Sequence, residues 1–292
     1  MPRRVSGRVK PAGGKRGAGA PRWSGAEGGA ITEAVGKPAG GLGGREPPGN
    51  VSAALAALIR ESQPCVVLTG AGVSTESGIP DFRSPTGLWA QFDPLEYGSI
   101  YAFQSDPEKV WRFYAPRFSM LTDAEPNAAH VALAELERCG LVGAVVTQNI
   151  DLLHERAGSR EVVEVHGSIR TSSCPRCRRS YALVEVLPLI ADGVPRCGDC
   201  GAVLKPDVVF FGEMLPLDAM TRATQLAREA ALLLVVGSSL EVYPVAGLPD
   251  DTLAAGGRLA ILNRGPTPYD GRADLKIDAS AGEVLTEVLR SV

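Results

Sequence analysis

The chain has 292 residues, of which 45% are hydrophobic, so it can form one large domain or two smaller ones with a substantial core. Its net charge of −3 is uneven, since residues 1–50 carry +6 and residues 51–292 carry −9, and this acidic balance argues against nucleic-acid binding. No apolar run approaches the ~20 residues of a membrane span, and no secretory signal is visible, so we expect a cytoplasmic protein. Six cysteines in a reducing compartment indicate a metal site or free thiols rather than disulfides.

The first 50 residues contain 14 glycines and 6 prolines, with few large apolar side chains. Such a segment buries too little surface to offset the entropy of ordering, so we predict a disordered basic tail over residues 1–50. An arm that binds nucleic acid or an anionic surface is the functional alternative. A start codon assigned too far upstream would also produce this composition.

Beyond the tail, short apolar runs alternate with amphipathic stretches. An Ala/Leu-rich stretch predicts a helix over Val51–Glu61, with Asn50 as its N-cap. The later predicted strands are Cys65–Leu68, Val142–Val146, Ala231–Val236 and Leu259–Leu262. The later predicted helices are Ala128–Arg138 and Asp218–Arg228. This alternation predicts an α/β fold, a doubly wound parallel sheet covered by helices on both faces. A module from about residue 167 to 205 interrupts the pattern and is short of strand signals.

A glycine-rich turn, Gly70–Thr75, directly follows the first predicted strand. Glycines there let a phosphate approach backbone N–H groups. Thr75 replaces the third glycine of the dinucleotide fingerprint, which disfavours a simple hydride-transferring enzyme. A tight structural turn explains two glycines equally well. The residues that follow include Phe82, which can shield a reactive sugar from water, and Arg83, which can pair with a phosphate.

Four of the six cysteines form two Cys-x2-Cys pairs, separated by 19 residues. This spacing can deliver four thiolates to a tetrahedral zinc, which is structural because no position stays open for water. A pair of redox dithiols is the alternative. The predicted ligands are Cys174, Cys177, Cys197 and Cys200. The other two, Cys65 and Cys139, are interpreted as buried small apolar residues.

A polar cluster, Thr147–Asp151, follows the second predicted strand at the end where open α/β sheets bind ligands. Its side chains suit a ribose or an amide, although such a cluster can also simply cap and turn the chain. Among three histidines, His166 is the candidate general base because it ends a short predicted strand at residues 162–165. The others, His130 and His154, lie at a helix start and in a polar stretch.

Two later segments carry further binding signals. Val208–Glu213 can offer an extended edge for pairing with a peptide. Gly237–Pro244 places small hydroxyl residues after a strand, as a second phosphate or ribose cradle. Asn263 has the same position relative to its own strand.

Together these motifs resemble those of the sirtuin family. The motifs that carry the resemblance are GAGVSTESGIPDFR (70–83), TQNID (147–151), VHG (165–167), the four cysteines, VVFFGE (208–213), GSSLEVYP (237–244) and Asn263. They occur in the expected order, and the resemblance covers everything except the first 50 residues. Asp81 in the PDFR sequence is typical of prokaryotic members near the deacetylase group.

The resemblance implies a Rossmann-like domain with a smaller zinc-ribbon and helical domain, and NAD as co-substrate in the cleft between them. The implied parts are the Rossmann-like core (about 51–85, 127–167 and 206–292), a helical insertion (about 86–126) and a zinc module (about 168–205). The implied NAD contacts are Ala71, Thr75, Phe82, Arg83, Gln148, Ile150, Asp151, Ser238, Ser239, Asn263 and Ala279 or Ser280. One structural Zn²⁺ is implied at the four cysteines.

The implied reaction removes an acyl group from a protein lysine and yields nicotinamide, O-acyl-ADP-ribose and free lysine. The acyl oxygen displaces nicotinamide at C1′ of the ribose, and His166 then acts as general base on a ribose hydroxyl that attacks the imidate carbon. The implied catalytic set is His166, Asn149 and Asp151. The implied substrate-side residues are Val208, Phe210 and Phe211. We expect a monomer that acts on acyl-lysine proteins, without membrane or nucleic-acid partners.

The acyl group is left open between acetyl and succinyl or malonyl. Tyr114 and Arg117 resemble the Tyr-x-x-Arg pair with which desuccinylating sirtuins hold a distal carboxylate. Pro116 argues against this pairing because it would disturb a helix interior, and Asp81 adds negative charge near the site.

Three other functions stay open from the sequence. ADP-ribosyl transfer to a protein side chain would use the same site, although His166 is needed only for deacylation. A non-enzymatic NAD-binding regulator is disfavoured by the complete polar set. A zinc-ribbon nucleic-acid binder would use Arg176, Arg178 and Arg179, which are interpreted as a solvated face.

Overall fold

A computed structural model describes residues 48–292 of the chain. The predicted tail lies outside these residues, apart from its last three. The strands, in chain order, are β1 (Cys65–Thr69), β2 (Ala144–Thr147), β3 (Val162–Glu164), β4 (Gly167–Ser173), β5 (Ser180–Ala182), β6 (Lys205–Val208), β7 (Leu232–Val236), β8 (Arg258–Leu262) and β9 (Leu275–Ile277). The helices are α1 (Pro48–Glu61), α2 (Leu88–Gln91), α3 (Pro94–Tyr97), α4 (Ile100–Ser105), α5 (Pro107–Asp123), α6 (Ala128–Arg138), α7 (Leu153–Arg156), α8 (Leu183–Ala191), α9 (Leu217–Glu229), α10 (Leu248–Ala254) and α11 (Ala281–Ser291).

The larger sheet has six parallel strands in the order β3-β2-β1-β7-β8-β9. Numbered within this sheet alone, the order is 3-2-1-4-5-6, which is that of the doubly wound dinucleotide-binding fold. The strand order reverses between β1 and β7, so their carboxyl ends form the switch point where such sheets bind ligands. The predicted α/β fold is confirmed.

Apolar side chains cover both faces of this sheet. Along β1, Val67 packs into a core with α1, α6 and α11, whereas Leu68 packs into a second core with α9 and α10. The alternation follows from the two-residue period of a strand. Burial on both faces explains why these strands read as continuous apolar runs in the sequence.

A second, antiparallel sheet in the order β5-β4-β6 joins the cysteine module to the helices of residues 88–123. Trp111, Phe118, Ile169 and Val186 share a third core between them. The indole of Trp111 donates a hydrogen bond of 2.5 Å to the carbonyl of Leu204, which satisfies its polar atom inside this core. The helical insertion and the cysteine module therefore pack as one unit.

The structure corrects three predictions about local elements. Helix α1 begins at Pro48, so Asn50 lies inside the helix and is not its N-cap. The cysteine module contains strands β4 and β5, although it was predicted to be short of them. Cys139 is exposed at the C-cap of α6 rather than buried, while Cys65 is buried as predicted. None of the helices within residues 48–292 combines the length and apolar character that crossing a bilayer requires.

Candidate active site and metal centre

The loops after β1 and β7 touch at the switch point through glycine backbone. The N–H of Gly72 donates to the carbonyl of Gly237 at 2.9 Å. A Cβ on Gly72 would lie 2.8 Å from that carbonyl oxygen, and a Cβ on Gly237, at φ +62°, would lie 2.2 Å from the nitrogen of Val73. These glycines thus serve close packing of the two loops, in addition to any approach of a phosphate.

Beside these loops, a buried hydrogen-bond network is centred on Ser74. Its hydroxyl donates to Asp151 at 2.7 Å and accepts from the Asn149 amide at 3.0 Å. His130 Nε2 lies 3.4 Å from the same oxygen, and its Nδ1 accepts from the N–H of Asn127, so Nε2 carries the proton and donates. The Ser74 hydroxyl thereby holds together the side chains of Asn149 and Asp151, which were both predicted for the site. Ser74 and His130 were not predicted for the site, because their partners in this network lie 56 to 77 residues away along the chain.

His154 lies behind this network and is also buried. Thr69 donates its hydroxyl to Thr147 at 2.8 Å, so it can only accept from His154 Nε2, at 2.9 Å. The proton of neutral His154 is therefore on Nε2, and its Nδ1 carries a lone pair that has no partner among the described residues. Burial lowers the pKa of His154 to about 3 and that of His130 to about 4, and both imidazoles are neutral near pH 7.

The predicted base, His166, follows β3 and lies half-buried at the same edge of the sheet. Its Nδ1 is 3.1 Å from the carbonyl of Gln148, which can only accept, so Nδ1 carries the proton and Nε2 has the lone pair. Burial lowers the pKa of His166, and the hydrogen bond to Gln148 partly opposes that shift. The ring is therefore neutral near pH 7, with Nε2 able to accept a proton.

The predicted NAD-contacting residues fall into three groups by position. Ala71, Thr75, Gln148 and Ser238 lie together at the switch point, where the Gln148 amide donates to the Ser238 hydroxyl at 2.9 Å. Asn263 follows β8, one strand further out, and its amide donates to the carbonyl of Arg264 at 3.0 Å. In the third set, Ser280 caps α11, next to Ala279, and donates to Glu76 at 2.8 Å.

The segment after the glycine turn carries an aromatic cluster and an ion pair. Phe82 is 38% exposed and stacks on Trp89, with ring centroids 5.6 Å apart. Asp81 accepts the backbone N–H groups of Arg83, at 2.9 Å, and Ser84, at 2.8 Å, and so shapes the turn. The guanidinium of Arg83 pairs with Glu241 at 3.3 Å. Asp81 thus has a local structural role here.

The segment Val208–Glu213 is largely paired within the chain. The N–H groups of Val209, Phe210 and Phe211 donate to His166, Glu213 and Gly98, so this stretch does not present three free N–H groups to a peptide. Lys205 donates to the carbonyl of Val208 at 3.0 Å and pairs with Glu213 at 2.9 Å. The Phe211 side chain is exposed, whereas Phe210 is buried.

Tyr114 and Arg117 lie on α5, which continues through Pro116. Tyr114 packs on Phe210, with ring centroids 5.4 Å apart, and burial raises the pKa of its hydroxyl. Arg117 stacks over Phe113 at 3.6 Å and donates to the Phe113 carbonyl. It also lines an open groove of about 390 Å³, together with Phe92, Tyr97, Lys109, Arg112 and Phe113.

The four predicted metal ligands converge in the cysteine module. All four Sγ atoms lie within 4.8 Å of one another, with 3.5 Å between Cys174 and Cys200 and 3.4 Å between Cys177 and Cys197. Four thiolates at the usual zinc–sulfur distance are spaced by about 3.8 Å, so the cluster is positioned to bind a zinc ion. Tyr181 supports it by donating its hydroxyl to Cys197 at 3.3 Å.

Comparison with known proteins agrees with this architecture. A model of the Sir2 family matches residues 70–244. An NAD-dependent protein deacetylase of Caldivirga maquilingensis is 48% identical over 81% of this chain and 92% of its own length. An NAD-dependent protein deacylase of Archaeoglobus fulgidus is 47% identical over 80% of this chain and 95% of its own. A solved structure of Sir2 with a p53 peptide and NAD⁺ superposes with a TM-score of 0.75 at 44% identity, covering 81% of this chain and 96% of that one. The chain belongs to the Sir2 family.

Proposed function

We propose that this protein is an NAD-dependent protein-lysine deacylase. It transfers the acyl group of a modified lysine to the ADP-ribose part of NAD and yields nicotinamide, O-acyl-ADP-ribose and free lysine. The proposal rests on the contact of His166 with the carbonyl of Gln148, next in the chain to Asn149, whose side chain is joined to Asp151 through Ser74. It is supported by relatives, nearly half identical in sequence, that are named deacetylases and deacylases.

In this proposal His166 acts as general base. Its Nδ1 proton is committed to the carbonyl of Gln148, so Nε2 is the atom that takes the proton of a ribose hydroxyl. The lowered pKa keeps Nε2 unprotonated at neutral pH, and the hydrogen bond keeps the ring oriented. Asn149 and Asp151, fixed through Ser74, supply amide and carboxylate groups to the nicotinamide and ribose side.

The other proposed NAD contacts surround this point. Thr75 and Arg83 bind the phosphates and nicotinamide ribose together with Ala71 and Gln148, and the aromatic ring of Phe82 excludes water. The remaining contacts are Ile150 for nicotinamide and Ser238, Ser239, Asn263 and Ala279 for the adenosine half. NAD supplies the reactive carbon, while the protein supplies orientation and electrostatics.

The proposed zinc is structural. Cys174, Cys177, Cys197 and Cys200 would all bind it, so no coordination position is left for a substrate. When bound, the metal holds the cysteine module in shape. It has no role in the chemical step.

The assigned base is tested with His166→Ala. Loss of general-base catalysis should lower the rate of deacylation by about 10²–10⁴-fold. Exchange of labelled nicotinamide into NAD, which precedes the base-dependent step, should persist in the presence of acyl peptide. Near-normal deacylation by the variant would contradict the role of His166. ADP-ribose found on protein without any deacylated peptide would favour the transferase alternative.

A preference for acidic acyl groups is the second candidate. Arg117 has no carboxylate within 4.0 Å among the described residues, so its guanidinium can bind one on an acyl chain. The test compares kcat/KM on acetyl- and succinyl-lysine versions of one peptide. Arg117→Met should cut succinyl activity selectively, and Arg112→Met, which removes another cation of the same groove, should not. Equal losses on both substrates, or no succinyl activity in the parent, would leave deacetylation as the function.

The proposed partners are acyl-lysine proteins. A monomeric state and a cytoplasmic location also remain predictions. Light scattering of the purified chain tests the first, and cell fractionation tests the second. Salt-dependent DNA retention would instead favour the nucleic-acid alternative.

A further inference from the structure

One carboxylate, that of Glu241, engages two residues proposed to bind NAD. It pairs with the Arg83 guanidinium at 3.3 Å and accepts from the Ser239 hydroxyl at 3.3 Å. Arg83 follows the first glycine turn and Ser239 follows β7, so the contact links the two loops of the switch point. Glu241 thus lies where an anion would meet both groups.

A carboxylate and a phosphate compete for the same guanidinium donors, because each accepts its N–H groups in the same geometry. We propose that Glu241 competes with NAD for both residues, with its phosphates for the Arg83 guanidinium and with its adenosine half for the Ser239 hydroxyl, and so lowers the affinity of the enzyme for NAD. This inference rests on the proposed function of the site. To bind both groups, NAD has to displace the carboxylate of Glu241 from them.

Neighbouring acidic residues do not have this arrangement. Asp81 accepts the backbone N–H groups of Arg83 and Ser84, and Glu76 accepts from Ser280. Among the described residues, Glu241 is the carboxylate that pairs with the Arg83 guanidinium. The competition is therefore assigned to a single side chain.

The backbone holds Glu241 in place. The preceding residue, Leu240, is buried, and its N–H lies 3.3 Å from the Ser238 hydroxyl. Leu240 anchors the loop in the second core, so the carboxylate stays near Arg83 without a large loop movement. The ion pair is about half exposed, at 43% and 51% for its two side chains. Exposed pairs of this kind are weak, and breaking one corresponds to about a 1.5- to fivefold change in affinity.

Calorimetric titration with NAD and with ADP-ribose tests the proposal on the full chain. Glu241→Gln keeps the shape but removes the charge, and it should lower both dissociation constants by about 1.5- to fivefold. The gain should shrink as salt is raised, because exposed charges are screened. In an Arg83→Met background the same substitution should have a smaller effect, because one competing partner is gone.

The matched control is Glu161→Gln. Glu161 pairs with Arg222 at 3.0 Å with similar exposure, and neither residue is a proposed NAD contact. This control should leave the dissociation constants unchanged. Unchanged or weaker NAD binding by Glu241→Gln, with a parent that binds NAD, would overturn the competition alone. A parent that binds neither ligand would overturn the proposed function as well.

Discussion

Acidification is expected to destabilise this fold through two buried histidines, His130 within the hydrogen-bond network of Ser74 and His154 packed against His130. His154 and His130 are 2% and 0% exposed, with ring centroids 4.8 Å apart. Burial lowers the pKa of His154 to about 3 and that of His130 to about 4, whereas each takes up a proton near pH 6.5 in the unfolded chain. Because the folded pKa lies below the unfolded one, the stabilisation is present above pH 6.5 and is lost as the pH falls toward the folded values.

The magnitude follows from this difference in pKa. At pH 5, about 1.5 units below the unfolded pKa, keeping one histidine neutral costs about 2 kcal/mol. The pair therefore costs about 4 kcal/mol, a large share of the ~5–15 kcal/mol by which domains are stable. A charge on His130 would also disfavour a charge on His154, so the two titrations are coupled.

Urea unfolding of the parent and of His154→Gln, each at pH 7 and pH 5, measures this effect. Glutamine removes the titrating group but can keep a neutral donor toward Thr69. The variant should lose about 2 kcal/mol less stability between the two pH values than the parent. Carboxylates contribute to both proteins and cancel in the comparison. The reasoning is refuted if the parent and the variant lose equal stability on acidification.

Three further predictions concern the metal centre, the substrate-side loop and the base. Metal analysis should find about one zinc per chain in the parent, and an active parent without zinc would contradict this. Cys200→Ala should release the zinc and loosen the cysteine module, which limited proteolysis would detect. Lys205→Met removes the cation that pairs with Glu213 and leaves that carboxylate with the backbone N–H of Phe210. It should lower the free energy of unfolding by about 1–3 kcal/mol and raise the KM for peptide more than that for NAD, with Lys205→Arg restoring both. Because burial lowers the pKa of His166 from 6.5, the acid-side fall of kcat/KM should have its midpoint below pH 6.5. A midpoint above pH 6.5 would contradict the lowered pKa.

The main sheet could be predicted from the sequence because its strands are buried on both faces. Runs such as Cys65–Leu68 and Leu259–Leu262 are continuous and apolar, and the structure confirms both as strands. Strand β4 was missed because Ile169 is its one large apolar residue, and its pairing depends on partners brought near by the cysteines. The burial of Cys139 could not be predicted either, because the sequence does not show which side of the end of helix α6 this residue faces. The structure has it exposed.

The candidate site could be predicted only where a local pattern exists. The spacing of the cysteines specifies a cluster because each Cys-x2-Cys pair brings its two thiols together locally. The hydrogen bond of Ser74 to Asp151 joins residues 77 apart, and the contact of His130 joins a helix start to that network. No short motif encodes such contacts, since the parallel pairing of β1 with β2 brings Ser74 to Asp151, and the start of α6 brings His130.

The stoichiometry of the products distinguishes NAD-dependent deacylation from simple hydrolysis. The full chain would be incubated with NAD and an acetyl-lysine peptide, and nicotinamide, O-acetyl-ADP-ribose and free-lysine peptide would be quantified by mass spectrometry. We expect the three products in a 1:1:1 ratio, with O-acetyl-ADP-ribose formation reduced about 10²–10⁴-fold in His166→Ala. Free-lysine peptide formed without NAD, or with free acetate in place of O-acetyl-ADP-ribose from the start, would contradict it.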